Sequence, residues 1–140
     1  MKIKYQHKKR LEAVPENIIY KPNGIITFTR KTPITLAKLN GNYETIEMAE
    51  LKHLFDIGIL STGDSNGYIG LPEGHENYKV DYTNIGIDIH GGLTFSDELE
   101  VEGKKYWCIG FDTCHSGDNP TNWPIENVLR EVENLYEQLK

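Results

Sequence analysis

Cysteine is scarce in this chain: 140 residues hold two, Cys108 and Cys114. Five residues separate them, and two thiols that close together in one short segment do not make a disulfide framework, so a reducing compartment is expected. No apolar run approaches the roughly 18 residues needed to span a bilayer, and the basic stretch 1–10 lacks the apolar centre of a signal peptide. The expectation is a cytoplasmic chain with no membrane partner. Several catalytic signatures are also missing. Residues 63–67 lack the GKS or GKT of a P-loop, the other glycine pairs fit no dinucleotide fingerprint, and Ser116 is not framed by GxSxG. HExxH, HxxxH and CxxC are absent, so the sequence requires no cofactor, although His and Asp could still ligate a divalent metal.

Net positive charge is lacking as well. The formal charge is −6 and the pI about 5.3, which argues against extended nucleic acid as a partner. The distribution is uneven: residues 1–40 carry nine Lys/Arg against two Glu, and residues 41–140 carry six against nineteen Asp/Glu. Either the basic third packs against the acidic remainder or it forms a phosphate-gripping arm. Local positive potential of that kind leaves a small anionic ligand open. The length fits one domain, 1–140, with a variable basic part over 1–63 and a motif-bearing core over 64–140.

Hydrophobic patterning predicts an α+β fold. Residues 1–40 read as short extended pieces broken by Pro15, a Pro22-Asn23-Gly24 turn and Pro33, with β-branched residues 25–29 (IITFT) as a strand. Met48, Leu51, Leu54 and Phe55 recur at helical spacing and predict a mid-chain helix over 44–57, stopped by Gly58. Residues 61–67 have loop chemistry, followed by a short strand over 68–71. Alternation in residues 85–90 (IGIDIH) predicts a half-buried strand ending at Gly91-Gly92, and residues 105–112 (KYWCIGFD) predict an aromatic strand. Ile125, Val128, Leu129, Val132, Leu135, Tyr136 and Leu139 follow an i, i+3, i+4, i+7 stripe, with Pro124 near the start and Asn122 as a candidate cap. The architecture expected is a mainly antiparallel sheet with the mid-chain helix and the C-terminal amphipathic helix packed on it.

Chemistry, if present, concentrates between residues 75 and 118. His75, His90 and His115 occupy Gly-flanked loop or strand-end positions, where side chains can converge over the end of a sheet. Asp112 and Asp118 bracket His115 at minus three and plus three, and a carboxylate beside an imidazole fixes its tautomer as acid–base work requires. These five are the candidate catalytic residues. Asn66, Tyr68, Glu73 and Trp107 are candidate ligand contacts, the two aromatics by stacking on a base. The competing reading is structural: Asp and Asn in Gly-rich loops cap turns, Asp118 or Asn119 could cap the approach to the last helix, and aromatics in strands belong to cores.

Three stretches carry a resemblance: residues 66–75 (NGYIGLPEGH), 89–95 (IHGGLTF) and 107–118 (WCIGFDTCHSGD), closed by the C-terminal helix. With its HGGLTF and GFDxxHxGD motifs the chain resembles a family of small bacteriophage proteins, over about residues 64–140. It departs from that pattern after His75, where residues 76–80 (ENYKV) replace a Pro-containing, Gly-Lys-like turn. The resemblance implies a phage anti-defence protein in the host cytoplasm, acting on a nucleotide immune signal, with His75, His90, Asp112, His115 and Asp118 as the residues carried over. Three functions follow from it: hydrolysis of a cyclic nucleotide, sequestration of an intact nucleotide-type ligand in a pocket that a homo-oligomer could share, or inhibition of a host factor through a protein surface.

Overall fold

The computed structural model describes residues 14–32, 63–114, 117–119 and 121–140. They form a five-stranded antiparallel sheet with one α-helix packed on it, an α+β arrangement. The strands are β1 (Glu16–Tyr20), β2 (Ile26–Lys31), β3 (Ser65–Leu71), β4 (Phe95–Val101) and β5 (Lys104–Phe111), in the order β1-β2-β3-β5-β4, and the helix is α1 (Ile125–Leu139). The mid-chain helix expected over 44–57 lies outside the described residues. Among the described residues no helix is long and apolar enough to cross a membrane.

The turns follow their residue chemistry. Pro22-Asn23-Gly24 closes the β1–β2 hairpin, with Asn23 and Gly24 both at positive φ. Glu102 and Gly103, also both left-handed, form the two-residue link between β4 and β5, the backbone type whose twist matches a hairpin. Side chains alternate across the sheet. Ile69, Leu71, Ile109 and Phe111 face α1 and meet Val128, Val132, Leu135 and Leu139 of its apolar stripe. Ile26, Phe28, Tyr68, Tyr106 and Cys108 form a second buried cluster.

The helix lies close because β3 carries no side chain at Gly67. A methyl there would come within 2.5 Å of Phe111 Cε1 and Val132 Cγ2. The residue that looked like part of a loop is therefore the seat of the helix, and β3 begins at Ser65, inside the segment 61–67 whose Gly, Ser and Asn content suggested a loop. Turn-rich composition here reflects close packing.

A second correction concerns residues 85–90. They form no strand. The alternation is real, since Ile85, Ile87 and Ile89 all pack against the core under α1, but the backbone pairs with helix side chains and not with a sheet neighbour. Asn122 is also not the helix cap: Pro124 occupies that position without a side-chain cap bond, and the Asn122 side chain bonds Asn119 N–H and the Gly117 carbonyl.

Gly67→Ala is expected to destabilise the fold by about 1–3 kcal/mol, the usual cost of forcing an extra methyl into a packed contact. Urea unfolding measures it, and a change under a few tenths of a kcal/mol would mean that α1 can move off the sheet at little cost.

Candidate functional site

The loop after β5 is tied down before it reaches α1. Thr113 donates its N–H to Asn66 Oδ1 (3.0 Å) and its hydroxyl to the Ser65 carbonyl (2.8 Å), while Gly63 N–H returns to the Thr113 carbonyl (2.7 Å). Asn119 Oδ1 then accepts from Thr121 and Asn122 N–H, and Trp123 N–H closes on the Asn119 carbonyl at 2.8 Å. Asn119 thus builds the turn before the helix, as the structural reading allowed. Between these anchors sits Asp118, only 3% exposed.

His90 arrives from the segment between β3 and β4. Both oxygens of Asp118 lie 3.0 Å from its Nε2. A carboxylate can only accept, so Nε2 carries the proton and the ring's basic lone pair resides on Nδ1. Trp123 lies against the imidazole, ring centroids 4.1 Å apart and tilted by 38°. Gly91 and Gly92, both at positive φ, turn the chain away directly after His90.

Asp112 belongs to the same loop, where its Oδ1 accepts Cys114 N–H at 3.0 Å. Cys114 reports the local field. Desolvation within the loop, then the carboxylates of Asp112 and Asp118, push its thiol up to about 11. Cys108, wholly buried in the second cluster, is pushed up to about 12, again chiefly by burial. His90, Asp112 and Asp118 are thus gathered around one loop. His115, the fourth member of the motif, lies outside the described residues.

His75 is elsewhere. Its Nε2 donates to the Leu139 carbonyl at 2.7 Å, at the C-terminal end of α1, and its Nδ1 accepts Asn77 N–H at 3.0 Å. Asp118 and Trp123 precede the helix at its other end, and 15 helical residues span about 22 Å. The expected convergence of His75 with His90 therefore does not occur, because the loop after β3 carries His75 to the far end of α1, where it satisfies a terminal carbonyl.

The expected ligand contacts are dispersed as well. Tyr68 is buried, stacked on Phe28 at 5.1 Å, edge-on to Phe95, with Arg30 over its ring and donating to its hydroxyl at 3.1 Å. Trp107 Nε1 donates to the Val80 carbonyl at 2.9 Å, which pins the crossing segment to the sheet. Asn66 holds Thr113, and Glu73 is exposed in a turn. Two residues at the site escaped the sequence reading. Trp123 stands beside Pro124 at the helix start, and Glu131, whose Oε2 accepts the His90 N–H at 2.8 Å, sits on the polar side of α1. A polar residue in phase with Asn134 and Gln138 was the one signal available for Glu131.

Among the described residues no group of three His, Cys, Asp or Glu side chains is arranged to hold a metal ion. The chain matches no protein-family model, no curated protein and no solved structure.

Two expectations follow from this geometry. His75→Ala removes the partner of the Leu139 carbonyl and should lower stability by about 0.5–1.5 kcal/mol in urea unfolding while leaving the His90 environment unchanged. Both thiols ionise less readily folded than unfolded. Their contribution to stability is complete below the ordinary thiol value of 9.0 and is lost as pH rises toward 11 and 12. Unfolding free energy should therefore fall from about pH 9 upward, and folded Cys114 should alkylate with iodoacetamide much more slowly at pH 9 than the unfolded chain does.

Proposed function

We propose that this chain is a phosphodiester hydrolase acting on a cyclic-nucleotide immune signal, with His90 as its proton-transfer residue and Asp118 as the group that orients it. The observation that carries the reading is the buried carboxylate held 3.0 Å from Nε2 through both oxygens. A carboxylate so placed fixes the tautomer and the orientation of the ring, with Nδ1 as the nitrogen that takes the proton in this reading. The nucleotide part of the reading rests on the HGGLTF and GFDxxHxGD resemblance, whose Asp112, His115 and Asp118 fall within seven consecutive residues of the sequence.

In this reading His90 accepts a proton from the attacking water as its oxygen bonds to phosphorus. The P–O bond to the leaving oxygen breaks, and that oxygen takes up a proton from a second acid, the role assigned to His115. Asp112 and Asp118 make the described part of the site acidic. A phosphodiester needs compensating positive charge, which the sequence concentrates in residues 1–40. The protein would act in the host cytoplasm on a small nucleotide.

Purified protein incubated with a panel of cyclic dinucleotides and cyclic ADP-ribose isomers, followed by chromatography, tests this. Wild type is expected to open one of them, with His90→Ala and Asp118→Asn slower by about 10²–10⁴-fold. Unchanged nucleotide in every case removes the hydrolase. Intact nucleotide released on denaturing the protein would mean sequestration in its place, and capture of a host protein without any small molecule would mean surface inhibition.

A further inference from the structure

Residues 85–90 pose a problem of hydrogen bonding: an extended backbone with no strand beside it must find partners or leave polar groups unmade. The polar stripe of α1 supplies them. Gln138 reads Asp88 from both sides, its Oε1 accepting Asp88 N–H at 2.9 Å and its Nε2 donating to the Asp88 carbonyl at 2.6 Å, as a neighbouring strand would. The same Nε2 lies 3.1 Å from Asn134 Oδ1, and Asn134 Nδ2 donates to Glu131 Oε1 at 2.9 Å. Glu131 closes the series with Oε2 accepting the His90 N–H at 2.8 Å. Positions 131, 134 and 138 fall at i, i+3 and i+7, so one stripe of the helix meets the segment along its length.

We infer that Glu131 is a positioning residue for His90, and that the series Gln138, Asn134, Glu131 is the device that delivers the imidazole to Asp118. The inference rests on the proposed role of the His90–Asp118 pair. Immediately beyond His90 the chain turns through Gly91 and Gly92, both at positive φ, and Gly92 N–H closes that turn on the Ile89 carbonyl at 2.9 Å, so His90 stands at the corner of a turn. On the near side Ile89 is buried in the core and Asp88 is held by Gln138. The bond from Glu131 holds the His90 amide itself at that corner. Glu131 is suited to it because an ionised carboxylate accepts with both oxygens, one here for Asn134 and one for His90. A displacement of about 1 Å at a catalytic group can cost about 10²-fold in rate, which sets the scale of what such a restraint controls.

The test is spectroscopic and needs no substrate, so its outcome is separate from that of the hydrolase assay. An imidazole Nε2 proton held by Asp118 exchanges slowly enough to give a downfield proton resonance, assigned by its loss in His90→Gln and in Asp118→Asn. Glu131→Ala is expected to abolish or broaden this signal with circular dichroism unchanged, and Glu131→Gln, which keeps one oxygen for the His90 N–H, to restore it. Should Glu131→Ala fail to fold, Gln138→Ala, an exposed position two turns away, is expected to broaden the same resonance. A wild-type signal in Glu131→Ala, or in Gln138→Ala where that variant stands in, overturns the inference, as does loss of the signal in Glu131→Gln. On a cleaved nucleotide, Glu131→Ala should lower kcat by about tenfold with KM unchanged.

Discussion

The contact of Val132 with the bare backbone of Gly67 sets the distance between α1 and the sheet, and the remaining described structure is arranged around that helix. The apolar stripe buries Val128, Val132, Leu135 and Leu139 on β3 and β5, and this burial is what holds α1 against that face. The C-terminal end of α1 receives His75, its polar stripe receives residues 85–90, and the loop carrying Asp118 leads into its first turn. Moving the helix outward by the width of a methyl would disturb all three together.

The connection from β3 to β4 must cross the sheet, because β5 lies between them. A crossing segment normally answers its own hydrogen bonds by becoming a helix. Residues 85–90 lay three isoleucines on the core, which leaves the backbone groups of Asp88 and the His90 N–H to Gln138, Asn134 and Glu131. Amide side chains suit this task, since each offers a donor and an acceptor in the geometry of a peptide group. The same arrangement brings a histidine to a buried aspartate from an element distant in the chain.

Asp112 and Asp118 share a loop with Cys114. Desolvation and then those two carboxylates hold the Cys114 thiol away from ionisation, which makes it a poor nucleophile at neutral pH. The proton-transfer role proposed for His90 needs nothing from that thiol.

The elements readable in the sequence were those whose burial follows one period. The stripe from Ile125 to Leu139 marked the helix, though its cap is Pro124 and not Asn122, and the aromatic run 105–112 gave β5 within one position at either end. Acidic β4, with Asp97, Glu98 and Glu100 exposed at the edge of the sheet, offered no such stripe. Residues 85–90 show why a period alone is insufficient: alternation records which side chains are buried and does not identify what the backbone is bonded to. At the site, the chain itself supplied the residue types and the short loop holding Asp112 and Asp118 together. Only the tertiary structure could send His75 to one end of α1 and His90 to the other, because that choice depends on the path of residues 72–94 across a helix some fifty positions further on.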